Sequence, residues 1–209
     1  MTTLSAAQPR LRRALPALAL LVLLPLLSAC GFNTIPTNEE SAKAAWSEVL
    51  NQYQRRADLI PNLVETVKAY AAHEREVLES VVQARAQATQ VQLPPDALDN
   101  PEAFRAFQEG QSGLTGALSR LLAVVENYPD LKANQNFLAL QAQLEGTENR
   151  IAVARRDYIE AVRVYNTSLR TFPTLLWANL WFTDNEPFQT FSVPEDKIEA
   201  PQVNFGSGG

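Results

Sequence analysis

The sequence contains one cysteine and one histidine, which limits the chemistry that its side chains could perform. A nucleophilic serine or cysteine needs a neighbouring base, and His73 is the only histidine that could serve. A zinc-protease pattern needs a second histidine four residues later, where this chain has Val77. We therefore expect no catalytic residue, no metal site and no cofactor, and interpret His73 as a surface side chain.

Cys30 is placed for a different kind of chemistry. It follows Leu27-Ser28-Ala29 at the end of the apolar run Ala14 to Leu27, and three arginines precede that run. The run of about 14 residues is short of the ~20 that span a bilayer as a helix, and is typical of a signal peptide. The pattern resembles a bacterial lipobox, whose cysteine thiol becomes a thioether to diacylglycerol. It predicts lipidation at Cys30; the alternative is an uncleaved anchor with a chance cysteine.

The charge of the chain constrains its partners. After residue 29 the chain has 15 basic and 23 acidic residues, a net charge of −8. We expect no nucleic acid partner, because binding a polyphosphate needs a basic surface. Anionic lipid does not attract such a chain, so we expect attachment through the N-terminal lipid. The predicted location is outside the cytoplasm, lipid-anchored to a bacterial membrane, and Gly31 after the cysteine permits the outer membrane.

Two groups of charged residues are candidates for binding. Arg55, Arg56 and Asp58 stand just before Pro61 and Asn62, where a proline in a helix would free a carbonyl. This group could form a partner or anion site; the alternative is that its charges satisfy the kink or face solvent.

Arg155, Arg156 and Asp157 repeat a similar order of charges further along the chain. They are a candidate partner-binding or structural motif. In the structural role they would pair across the bundle with Asp58 or Glu65 and so fix the register of the helices.

Apolar residues spaced by three and four predict the helices that position these groups. The first predicted helix runs from Glu39 to Gln90, about 78 Å, and the only charges on its apolar seam are Arg56 and Glu74. Pro61 is its one helix breaker, and we favour a kink over a break because the seam keeps its phase across it.

Further seams predict a second helix from Phe104 to Tyr128, a third from Phe137 to Phe172, and a short fourth within Thr174 to Phe182. The predicted fold is all-α, an elongated antiparallel bundle of three long helices plus a short C-terminal helix. The expected organisation is a signal peptide (1–29), a tether (30–38), the bundle (39–183) and an extended, frayed tail (184–209).

The apolar residues Trp177, Leu180, Trp181 and Phe182 form a further candidate contact surface. With three long helices, this cluster would lie at the end of the bundle far from the membrane. We therefore favour capping of the core over docking of a partner, and both over contact with lipid.

Several motifs resemble, in the same order, those of LemA proteins over about residues 39–205: Ala45-Trp46-Ser47, Arg55-Arg56-Ala57-Asp58-Leu59-Ile60-Pro61-Asn62, Glu126-Asn127-Tyr128-Pro129-Asp130, Ala154-Arg155-Arg156-Asp157-Tyr158 and Ala200-Pro201-Gln202-Val203-Asn204-Phe205. The resemblance implies an elongated helical bundle outside the cytoplasm, usually on an uncleaved membrane helix, with no established enzymatic activity. The lipobox is a departure from that pattern.

Together these features predict a non-enzymatic envelope lipoprotein. We expect a helical scaffold that binds another envelope protein in envelope maintenance or membrane protein quality control, and the resemblance suggests a membrane protease as one such partner. The alternative is a protein that binds a lipid or cell-wall ligand at the apolar aromatic end of the bundle.

Overall fold

The computed structural model describes residues 31–91 and 93–191, and this part of the chain is helical without strands. The all-α prediction is confirmed. The predicted signal peptide, Cys30 and the tail beyond residue 191 lie outside the described residues. The helices are α1 (Thr34–Lys68), α2 (Arg75–Gln90), a 3-10 turn (Pro95–Ala97), α3 (Pro101–Val125), α4 (Pro129–Lys132), α5 (Gln135–Ser168) and α6 (Thr174–Leu180).

The first predicted helix is wrong in one respect, because residues 39–90 form two helices that meet at a turn. The turn lies between Lys68 and Arg75, where the sequence has neither glycine nor proline. Tertiary hydrogen bonds hold it instead. The Tyr128 hydroxyl donates to Glu74 (2.9 Å), and the Asn134 amide donates to the hydroxyl of Tyr70 (2.8 Å).

Burial of apolar surface explains why the chain turns back here. α2 buries Leu78, Val81 and Ala88, which belong to an apolar cluster shared with α1 and α3. A straight continuation of α1 would have carried this stripe away from its neighbours and left it in water. The hydrophobic effect therefore favours two shorter antiparallel helices over the single long one.

α1 runs through Pro61 without ending, so this proline does not break the helix. Pro61 lies on the exposed face, and Ile60 and Leu63 beside it are buried on the same side of the helix. The seam keeps its phase across the proline, as the sequence predicted.

The four longer helices alternate in direction. Trp46 of α1 packs against Phe104 of α3 and Tyr158 of α5. Ten residues further along α1, Arg56 donates hydrogen bonds to Thr115, which comes later in α3, and to Glu148, which comes earlier in α5. α1 and α3 therefore run one way and α5 the other. α2 returns antiparallel to α1, since Arg85 reaches back to Ala57.

An even number of long helices brings α6 back to the end where α1 begins. Gly31 lies against Thr174 and Trp177, in a backbone conformation (φ +123°) that favours glycine. The prediction that the aromatic cluster lies far from the N-terminal attachment is therefore wrong. It failed because it counted three long helices.

The interior contains two apolar clusters. One surrounds Trp46, and the other extends from Ile60 to the turns at the far end. A buried polar residue separates the two clusters on each of three helices: Arg56 on α1, Gln111 on α3 and Thr147 on α5.

Residues 184–191 are docked onto the bundle in a conformation without helix or strand. Asn166 of α5 makes two hydrogen bonds to the backbone of Phe188, at 3.0 and 2.9 Å. The Tyr158 hydroxyl donates to the backbone carbonyl of Gln189 (2.7 Å). The backbone N–H of Gln189 donates to the backbone carbonyl of Leu98 (2.8 Å). An extended segment was predicted, but over these residues it is fixed rather than frayed.

Candidate functional site

Arg56 is the centre of a buried polar cluster halfway along the bundle. Its side chain is 2% exposed. Nη1 donates to Glu148 (3.0 Å) and Thr115 (3.1 Å), and Nη2 donates to the side-chain oxygen (2.7 Å) and the carbonyl (3.3 Å) of Gln111. Burying a cation is costly unless it is paired and hydrogen-bonded. These contacts pair both terminal nitrogens, while Nε has no hydrogen-bond partner among the described residues.

This cluster connects all four longer helices. Arg56 belongs to α1, Gln111 and Thr115 to α3, and Glu148 to α5. Gln111 extends the cluster to α2 by donating from Nε2 to the carbonyl of Ala88 (3.2 Å). Because every bond depends on the relative height of two helices, the cluster fixes their register.

A cavity of about 310 Å³ opens beside the cluster. Tyr53, Arg56, Glu148, Arg155 and Phe191 are among the residues that line it. Burial raises the pKa of the Tyr53 hydroxyl, and the charges of Arg155 and Arg56 oppose that rise. The guanidinium of Arg56 lies 5.0 Å from the Tyr53 ring centre, so the ring contributes a cation-π contact.

Arg85 explains how α1 tolerates Pro61. A proline at this position cannot donate to the carbonyl of Ala57, four residues earlier. In the structure, Nε of Arg85 on α2 donates to that carbonyl at 2.8 Å. The carbonyl freed by the proline is therefore used to join two helices, and is not open to a ligand.

The other predicted residues of this first group lie on the surface. Arg55, Asp58 and Asn62 are exposed, and Asp58 accepts a hydrogen bond from Gln54 (2.7 Å) on its own helix. The structure therefore separates Arg56 from the residues with which the sequence grouped it.

The second group does not pair with Asp58 or Glu65 among the described residues. Arg156 and Asp157 are exposed neighbours, 3.8 Å apart between Nε and Oδ1. Arg155 is half-buried, and its guanidinium lies 4.1 Å from the centre of the Phe191 ring. Arg155 thus reaches the docked C-terminal segment and the cavity beside Arg56.

The aromatic end of the molecule is the second candidate region. We define the aromatic end as Phe32 together with Phe172, Leu175, Leu176, Trp177, Leu180, Trp181 and Phe182. The Phe32 ring contacts Trp177 (5.6 Å between centres) and Phe182 (5.3 Å). Trp177 and Phe182 pack against the apolar cluster around Trp46, as the core-capping prediction expects. Trp181 is 63% exposed, Leu180 64% and Phe172 79%, so the rest of the aromatic end largely faces outward.

Sequence reasoning missed Gln111, Thr115 and Arg85, which help to give the Arg56 region its structure. One sequence feature pointed to the cluster, because Arg56 is a charged residue at a seam position. The partners themselves come from three other helices, and their identity depends on the register of the bundle.

His73 is exposed in the turn between α1 and α2. Within residues 31–91 and 93–191, no group of three or more histidine, cysteine, aspartate or glutamate side chains is arranged to hold a metal ion. No helix of the same residues is both long and apolar enough to cross a membrane.

The described chain is thus an antiparallel helical-bundle protein with a buried polar cluster at its centre and an exposed apolar surface where the described chain begins. The model of the LemA family matches residues 45–205, and the chain belongs to this family.

Similar proteins include magnetosome protein MamQ 2 of Paramagnetospirillum magneticum, which is 28% identical over 192 residues, covering 82% of this chain and 70% of that protein. MamQ 1 of the same organism is similar to the same extent. The MamQ protein of Magnetospirillum gryphiswaldense is 26% identical over 189 residues, with the same coverage of both chains.

Proposed function

We propose that this protein is a membrane-anchored helical scaffold that binds another envelope protein. The observation that carries the proposal is the geometry of the bundle: the chain enters at the aromatic end, and α1 extends about 52 Å away from it. An anchor at the N-terminus would therefore leave the opposite end free to meet a partner. Membership of the LemA family and similarity to magnetosome proteins support an association with membranes.

The Arg56 cluster suits a scaffold. It holds four helices in one register through hydrogen bonds of a buried cation and of its partner Gln111, and it uses those bonds within the chain. A protein that presents a surface at a distance from its anchor needs such internal rigidity. We assign the cluster to support of the bundle, without catalysis.

The anchor is the lipid predicted at Cys30. One acyl chain holds a protein only marginally, whereas the diacylglyceryl group and the further acyl chain of a lipoprotein hold it almost permanently. Attachment outside the cytoplasm and a role in envelope maintenance, beside a membrane protease or another membrane protein, are the expectations that the family resemblance supplies.

A groove of about 570 Å³ between α1 and α2 is the partner surface that we favour. Val64, Leu78 and Val82 contribute its apolar surface, and Val82 is half exposed. Acidic and basic side chains from both helices border it. An apolar floor with a polar rim is the usual composition of a protein-protein interface.

Photo-crosslinking in the host membrane tests this function. A photoreactive residue at Val82 should give one discrete adduct with an envelope protein, and the matched position Arg120, exposed on α3 outside the groove, should not. Equal labelling from both positions, or no discrete adduct from Val82, would contradict the proposal.

Binding of a single lipid or cell-wall ligand at the aromatic end is the other candidate function. A ligand site normally encloses 70–90% of a small molecule in a cavity. Trp181 and Leu180 are more than half exposed, which favours an extended contact surface over an enclosed site. The scaffold function is therefore the better supported of the two.

A further inference from the structure

We infer that the aromatic end lies in the headgroup region of the membrane to which the chain is attached, as a second, non-covalent contact with that bilayer. The inference rests on the N-terminal attachment proposed above and deepens it. It assigns an occupant, the interface of a lipid bilayer, to a surface that the fold leaves exposed.

The first step is the absence of charged residues from the two segments that meet at this end of the molecule. Residues 31–38 and 171–183 contain no aspartate, glutamate, lysine or arginine. These two segments come together where Phe32 packs against α6 and the residues after it. A surface without charge enters a bilayer interface without the cost of desolvating an ion.

The second step is the exposure of large apolar side chains. Phe172, Leu176 and Leu180 are spaced by four residues and are 79%, 50% and 64% exposed. Trp181 beside them is 63% exposed. A group of exposed apolar side chains this close together marks a contact surface, and tryptophan is enriched at the boundary between headgroups and acyl chains.

The third step is the length of chain between this surface and the attachment. Cys30 precedes Phe32 by two residues, which span at most about 7 Å when fully extended. A lipid on Cys30 therefore holds the Phe32 backbone, and with it Trp177 and Phe182, beside the headgroups. The aromatic end cannot be moved away from the bilayer without unpacking Phe32.

The same placement follows if the N-terminus is an uncleaved anchor. The apolar run Ala14 to Leu27 would then lie in the membrane and end three residues before Cys30. In both cases the bilayer meets the chain next to Gly31, which packs against Thr174 and Trp177. A partner protein would need to displace the bilayer from this surface, so lipid is the occupant to which the geometry points.

Tryptophan fluorescence tests the inference because the chain contains an internal control. Trp177 and Trp181 belong to the aromatic end, whereas Trp46 is fully buried in the core and donates to the carbonyl of Leu93. The full chain from its host would be reconstituted into phosphatidylcholine vesicles whose acyl chains carry bromine near the headgroups. Bromine quenches only tryptophan that reaches the acyl chains.

We expect the emission of the wild type to fall by about two-fold in brominated vesicles relative to unbrominated ones. The double variant Trp177→Phe/Trp181→Phe, which retains only Trp46, should show almost no quenching. Quenching should persist at high salt because the aromatic end is uncharged.

Co-sedimentation with the vesicles separates the two possible failures. A chain that does not sediment with them has no anchor, and both the attachment and the present inference would be overturned. A chain that sediments but keeps its emission, or loses it equally in the double variant, is anchored with its aromatic end away from the bilayer. That outcome would overturn the inference alone.

Discussion

The centre of the bundle and its aromatic end break the usual rule of burial in opposite ways. The centre buries a charged side chain, Arg56, and the aromatic end exposes large apolar ones such as Trp181 and Leu180. The buried charge has its ion pair and hydrogen bonds within the chain. The exposed apolar surface has no such cover among the described residues. The first exception is therefore explained by the fold, and the second requires a contact outside it.

The largest effect should come from removing the buried cation. We expect Arg56→Ala to lower the free energy of unfolding by about 3 kcal/mol, because Gln111 and Glu148 lose their partner and a cavity remains. The adjacent Arg55→Ala is the matched control, since Arg55 is exposed, and should change it by less than about 0.5 kcal/mol. Urea unfolding of the full chain in mild detergent measures both. Equal stability of the two variants would show that the cluster does not hold the bundle together.

Alkaline titration probes the buried hydroxyls of the interior. Burial raises the pKa values of Tyr53, Tyr158 and Tyr165 above their ordinary value. The unfolded chain releases these protons from about pH 10 upward while the folded chain keeps them. Stability is thus fully present below pH 10 and should then fall by more than about 1 kcal/mol per pH unit.

Tyr158→Phe is the control for this titration. The variant also loses the hydrogen bond to Gln189, so the comparison uses the slope of stability against pH rather than its absolute value. The slope should be shallower than in the wild type. An unchanged slope would mean that Tyr158 does not contribute to the alkaline loss.

A double-mutant cycle tests the arrangement at Pro61. Arg85→Ala should cost about 1 kcal/mol because the carbonyl of Ala57 loses its donor. In a Pro61→Ala background, the new backbone amide can bond that carbonyl, and the cost of Arg85→Ala should largely disappear. Urea unfolding of the four chains gives the coupling energy. Strict additivity would mean that Arg85 stabilises the bundle by some other contact.

The smallest effect on stability should come from the aromatic end. Leu180→Ser removes a side chain that is 64% exposed, and should change the free energy of unfolding by less than about 0.5 kcal/mol. Its effect should appear instead as weaker quenching by brominated lipid. A loss of more than about 1 kcal/mol would show that Leu180 helps to cap the core, as Trp177 and Phe182 do.

The sequence predicted the helices better than their arrangement. Spacings of three and four residues located the apolar seams, and Arg56 stood out as a charge on one of them. The turn between Lys68 and Arg75 was missed because it contains no glycine or proline and depends on Tyr128 and Asn134, far away in the chain. That one turn changed the number of long helices, and with it the position of the aromatic end.

The candidate sites show the same limit. Arg56, Arg55 and Asp58 are close in sequence but face different surroundings, since consecutive positions of a helix point in different directions. The partners of Arg56 follow from the register of α1, α3 and α5, which local patterns do not encode. Residues 184–191 carry few local signs of order, yet Asn166 and Tyr158 hold their backbone.

The intact mass and detergent partitioning of the protein from its host, beside Cys30→Ala, test the central claim that a lipid at Cys30 anchors the bundle. We predict a wild-type mass that begins at Cys30 and includes acyl chains, partitioning into the detergent phase, and an unprocessed mutant. A wild-type chain that keeps residues 1–29 and carries no lipid would contradict the lipid anchor.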